Sequence, residues 1–209
     1  MSYLFNLWQK EIINISFLHL SGLLMTLVIM PTVTGCTGAA VGAGAAVGVA
    51  AFEERTIGTV ADDTRIAAQI RLAILDKGTD YSLKIGIEVF EGRVLVTGAV
   101  PTEKMRAGAV TAAWKVSGVK DVINEVQVSS AGFVDKARDI WISTQLTSKI
   151  TFDEDIHAIN YALETVGGIV YLMGIAQNRM ELKRVINHAR NLNYVKNVIS
   201  HVRIKGSPE

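Results

Sequence analysis

At 209 residues, with 21 Lys+Arg against 20 Asp+Glu, the chain has room for two small domains and is nearly neutral, which argues against nucleic-acid binding. Its single cysteine, Cys36, excludes an intrachain disulfide and a cysteine-based zinc site. The balance is uneven along the chain: residues 51–128 carry 10 Lys+Arg and 11 Asp+Glu, residues 129–209 carry 10 and 8.

Residues Ile12 to Val33 form an apolar run that ends in Val33-Thr34-Gly35-Cys36. Small residues behind an apolar core are what a signal peptidase groove accepts. With cysteine next, the stretch resembles the bacterial lipobox. That resemblance implies removal of residues 1–35 as a lipoprotein signal peptide, and it implies diacylglyceryl and acyl chains on Cys36. Each buried methylene contributes about 0.8 kcal/mol, so two or three chains anchor a domain durably. The n-region holds only Lys10, cancelled by Glu11. The alternative is an uncleaved anchor, since about 20 apolar residues can span a bilayer. Thr37 stands where lipoproteins kept at the inner membrane carry aspartate, and so implies sorting to the outer membrane. Gly38 to Ala51, GAAVGAGAAVGVAA, is read with Cys36 as a small-residue tether over 36–60; close helix packing in a membrane is the other use of that composition.

Beyond this segment the chain repeats itself. Gly92 to Val128 returns without a gap at Gly168 to Ile204, at a constant offset of 76 residues. Gly92, Val94, Gly98, Ala113, Val119, Lys120, Val122, Ile123 and Val126 all meet an identical residue in the second copy, and upstream Asp63, Ile66 and Gln69 match Asp139, Ile142 and Gln145. A fixed period marks one small module used twice. In the first copy, Asp62-Asp63-Thr64 offers an N-cap to a helix carrying Ile66, Ile70 and Ile74. Leu83-Ile85-Ile87-Val89 alternates as a strand, Glu91-Gly92 makes a two-residue hairpin turn, and Val94-Val96 opens the return strand. Pro101-Thr102 starts a second helix, Gly118 ends it, and Val119 to Val128 is a third strand. The second copy predicts helices from about Asp135 to Ile150 and from Asn178 to Leu192, with strands around Ala158–Val166, Ile169–Ile175 and Val195–Ile204. The fold class is α+β: two tandem α-β-β-α-β domains over 61–130 and 134–205, each a three-stranded mixed sheet packed on two helices. The open face of each sheet must then be polar or docked on something.

An Asp-led helix, then G-x-V-x-V-x-G, a helix, and G-V-x-x-V-x-N resembles the BON domain. Gly92-Val94-Val96-Gly98 and Gly118-Val119-Val122-Asn124 carry the pattern first, and Gly168-Val170-Leu172-Gly174 with Val195-Val198 carry it again. The second copy departs from it at Tyr194, where the pattern has glycine, and at Ser200, where it has asparagine. Two copies behind a lipobox are similar to the dual-BON outer-membrane lipoproteins over residues 33–205. The resemblance implies binding rather than catalysis. It implies an anionic, phosphatidylglycerol-like phospholipid partner recognised through the first helix of the second domain, a lipid anchor on the periplasmic face of the outer membrane, and support of envelope integrity. A structural role docking an envelope protein complex is the alternative.

The repeat also separates core from candidate site. Ile142 and Leu146 match Ile66 and Ile70 and belong to the buried stripe, whereas Ile140 and Trp141 match Thr64 and Arg65. Large apolar residues off the core stripe, beside Lys136, Arg138 and Lys149, suit a membrane interface, with the indole among headgroups and the cations on phosphate. Equally, Ile140 and Trp141 could pack against the first domain. Asp153-Glu154-Asp155 reads as capping or a solvated loop rather than a cation site, and His157, His188 and His201 form no metal-ligand spacing. With no nucleophile triad, phosphate loop or dinucleotide fingerprint, no enzyme, cofactor or metal is expected.

Overall fold

Thr56 starts the first helix, its hydroxyl accepting the N–H of Thr59 at 3.1 Å. The computed structural model describes residues 53–129 and 135–207; the apolar run, Cys36 and the Gly/Ala stretch lie outside them. Helix α1 spans Ile57–Leu75, which corrects the expected cap at Asp62-Asp63. Asp63 is instead a buried residue of the helix interior. Its carboxylate accepts the N–H groups of Glu91 and Gly92, both at 2.8 Å. An ionised acceptor on two turn donors is a strong local tie. Those two residues have φ of 55° and 77°, the left-handed pair that a two-residue hairpin turn requires.

The first module continues through a short helix α2 (Thr79–Ser82), strands β1 (Ile85–Phe90) and β2 (Arg93–Val100), helix α3 (Glu103–Trp114, capped by Thr102) and strand β3 (Asp121–Val128). The second contains α4 (Lys136–Thr151, capped by Asp135), β4 (Tyr161–Val166), β5 (Ile169–Ala176), α5 (Arg179–Arg190, capped by Asn178) and β6 (Asn197–Ile204). Ala158–Asn160, expected as strand, is a 3-10 turn leading into β4. Asp139 repeats the part of Asp63, holding Gly167 N–H at 2.7 Å and Gly168 N–H at 2.8 Å.

In each module the middle strand pairs antiparallel with the first and parallel with the third, so both sheets are mixed. One face of each sheet closes on its two helices. Ile66, Ile70 and Ile74 meet Val94, Val96 and Ala113 in the first module, and Ile142, Leu146 and Ile150 meet Val170, Leu172 and Val185 in the second.

The other faces close on each other. Phe90 and Leu95 join Val166, Tyr171, Met173 and Ile175 in a third buried cluster, giving four layers: helices, sheet, sheet, helices. The arrangement is pseudo-symmetric, because residues 76 apart meet across it. Glu125 Oε1 lies 2.8 Å from Nε2 of its counterpart His201, and the charge of Glu88 reaches its counterpart Glu164. Around the rim, Gln127 donates to the Tyr171 hydroxyl at 3.1 Å, Arg203 pairs with Glu91, and Glu54 takes hydrogen bonds from Gln177 (2.7 Å) and Lys205 (2.9 Å). The core clusters of both modules, and the cluster between the two sheets, draw on residues 66–202, all of which the fragment Ala51 to Glu209 contains.

Candidate functional site

Helix α4 buries Asp139, Ile142, Leu146 and Ile150, a stripe at helical spacing. Ile140 and Trp141 lie off it, 60% and 40% exposed. Because consecutive helical residues point about 100° apart, the two side chains diverge. Trp141 faces the turn before β6, its ring edge-on to Tyr194 at 5.8 Å between centroids. Arg138 lies on the same side, its guanidinium 4.6 Å from the Tyr194 ring centre and 3.0 Å from Asp135. Ile140 and Lys136 turn the other way, towards a groove between the modules. The structure thus brings Lys136, Arg138, Ile140 and Trp141 into the first turns of α4, on two flanks. Lys149 is not with them; it sits in the last turn, about 12 Å further along the axis.

The same corner of the first module is built differently. There Arg65 occupies the place of Trp141, and both terminal nitrogens of its guanidinium donate to the Ser117 carbonyl at 3.3 Å. The next residue is Gly118, φ 97°, where a Cβ would come within 3.1 Å of Arg65 and Ile66. In the second module that position is Tyr194, which holds φ at 70° and is 58% exposed. A polar side chain lying across a glycine turn has become two aromatic rings in contact.

The groove encloses about 400 Å³ and takes Leu83, Lys84 and Gly86 from the first module and Lys136, Ile140 and Glu164 from the second. Burial pushes the Glu164 carboxyl up to about 7, and the neighbouring Glu88 charge adds to the rise. Burial likewise raises Glu88, with Arg71 opposing. The groove is therefore lined by two lysines, Lys84 and Lys136, and by a carboxyl, Glu164, whose pKa is raised.

The BON-domain profile matches residues 62–130 and again 138–206. The chain belongs to the BON-domain family. Its relatives include an uncharacterized protein of Anaplasma centrale, 41% identical over 70% of this chain and 97% of that protein. The outer membrane lipoprotein DolP of Haemophilus influenzae is 32% identical, covering 67% of this chain and 74% of its own. The osmotically-inducible protein Y of Escherichia coli is 26% identical over 71% and 76%.

Several other polar groups of the second BON module are engaged structurally. Asp153 accepts from His188 at 2.6 Å, which lowers its pKa, and Arg184 reaches Asp155 at 2.6 Å. The acidic triplet therefore ties the loop after α4 to α5. His201 serves the sheet interface. Among the described residues no group of His, Cys, Asp and Glu could hold a metal ion, and no helix is long and apolar enough to cross a membrane. Tyr194 is the site residue that the reading of the sequence left without a role. Its signal was present, as the one place where the second copy gives up the glycine of the BON pattern.

Proposed function

We propose that this BON-family protein is a lipid-anchored outer-membrane protein facing the periplasm, that its second module binds anionic phospholipid, and that it supports envelope integrity. The observation that carries the reading is the exposed apolar pair Ile140 and Trp141 on α4, where the first module has Thr64 and Arg65. Large apolar side chains held in water off the core stripe are costly unless something covers them. Lys136 and Arg138 beside them offer charge to a lipid phosphate, and an indole partitions well among headgroups. Lys149, in the last turn, adds charge to the helix but stands apart from this cluster. The likeness to an outer membrane lipoprotein supports the anchor at Cys36. The role is binding rather than catalysis.

The alternative, docking an envelope protein through open sheet faces, loses its surface, because those faces cover each other. The test is sedimentation of the fragment Ala51 to Glu209 with phosphatidylglycerol or phosphatidylcholine vesicles. Binding is expected only to the anionic vesicles. Trp141→Glu should weaken it at least tenfold while circular dichroism stays unchanged. Equal binding by that variant would sink the reading.

A further inference from the structure

Two non-glycine residues among those described hold a positive φ, Glu91 and Tyr194. Glu91 belongs to a hairpin turn that needs that conformation and is tied down by Asp63. The turn at Tyr194 calls for the same conformation, but no described side chain ties it down and glycine would hold it without strain. The first module makes the same turn with Gly118, and a bulky residue at positive φ is strained. The strain is not repaid by burial, because the ring is more than half exposed. What the ring does meet is the Trp141 ring, edge-on, and the Arg138 guanidinium over its face. Glycine to tyrosine at 118/194 and arginine to tryptophan at 65/141 are thus one coordinated change at one corner.

We infer that Tyr194 is a second aromatic anchor of the lipid site, so that the membrane-facing surface is α4 together with the turn before β6, not the helix alone. The inference rests on the phospholipid reading and extends it to a residue on another element. The occupant is the headgroup layer of an anionic bilayer. A tyrosine and a tryptophan present apolar rings with polar edges, which suits that depth, and Arg138 over the Tyr194 ring supplies a cation at the same level. Lys196, two residues on, lies at the edge of the same corner, its ammonium donating to the Gly167 carbonyl at 2.7 Å. Backbone strain kept for an exposed ring points to function at the surface.

The experiment compares Tyr194→Gly, Tyr194→Asn and Tyr194→Phe in the fragment Ala51 to Glu209, with thermal melts beside phosphatidylglycerol vesicle sedimentation. Glycine and asparagine both accept the turn's backbone, so neither should lower the melting temperature by more than about 2 °C. Both should weaken vesicle binding by roughly five- to tenfold, while phenylalanine stays within about twofold of the parent. If Tyr194→Gly binds as the parent does, the inference is overturned, and the loss in Trp141→Glu still decides the phospholipid reading separately. Weakened binding that tracks a lowered melting temperature in all three variants overturns it too, as a structural role. If the parent fragment does not bind, both readings fall.

Discussion

The two modules share a fold, a register and most of their core, yet they differ at one corner. In the first, Arg65 closes the α1 corner by hydrogen bonds to a carbonyl beside Gly118. In the second, Trp141 and Tyr194 present aromatic surface to solvent. Where both copies agree, the residue is doing something the fold requires: Asp63 and Asp139 each hold a hairpin turn, and Gly92 and Gly168 each permit it. Where they disagree in chemical kind on the surface, folding no longer dictates the choice. Duplication within one chain thus supplies an internal control, one module showing what the fold needs and the other what has been added.

The largest effect should come from cutting between the copies. Tyr171→Ala removes the biggest fully buried side chain of the sheet-sheet cluster, at a cost of about 3–5 kcal/mol. Calorimetry should show the single unfolding transition of the fragment separating into two. A lowered but still single transition would mean that the modules are coupled by something other than this face. The comparison is sharpened by Asp63→Ala against Asp139→Ala. Each leaves two turn N–H groups without their acceptor, for about 2–4 kcal/mol in urea unfolding. Asp63→Ala should cost more, since Arg55 also loses one of its two carboxylate partners, at 3.1 Å.

The smallest effect is in pH. The folded pKa of Glu164 is raised to about 7 and that of Glu88 is raised too. Between about 4.5 and 7 the native state therefore binds more protons than the unfolded chain. The stability these two groups contribute is full below the unfolded pKa and is lost as pH rises through the folded one. Glu164→Gln should flatten that slope in melts from pH 4.5 to 8. An unchanged slope would assign it to other groups.

The α-β-β-α-β order of each module was legible because helical spacing, hairpin turns and the 76-residue register agree. The start of α1 was not, because two adjacent aspartates look like a cap, whereas Asp63 is consumed by a turn 28 residues away. Thr56 and Thr59, a plainer capping pair, lie upstream of it. The mutual covering of the sheets was readable in principle. Arg93–Val100 and Ile169–Ala176 are nearly unbroken apolar runs, the mark of a strand buried on both faces, and alternation is the wrong template for them. For the candidate site, chemical difference between the copies found Ile140 and Trp141. That they face different flanks, and that Lys149 lies more than three turns from Lys136, already follows from projecting the expected helix; what spacing could not give is the turn of Tyr194 packed beside Trp141.

The covered sheet faces also bear on how the molecule is made. As the chain is produced from its N-terminus, Phe90, Leu95 and Ile123 exist before Tyr171 and Met173, 76 residues after Leu95 and Thr97. For that interval the first module can fold its own core and still carry a bare apolar sheet, the kind of surface that sticks to other chains. That surface is removed from water only when the second copy is there to cover it.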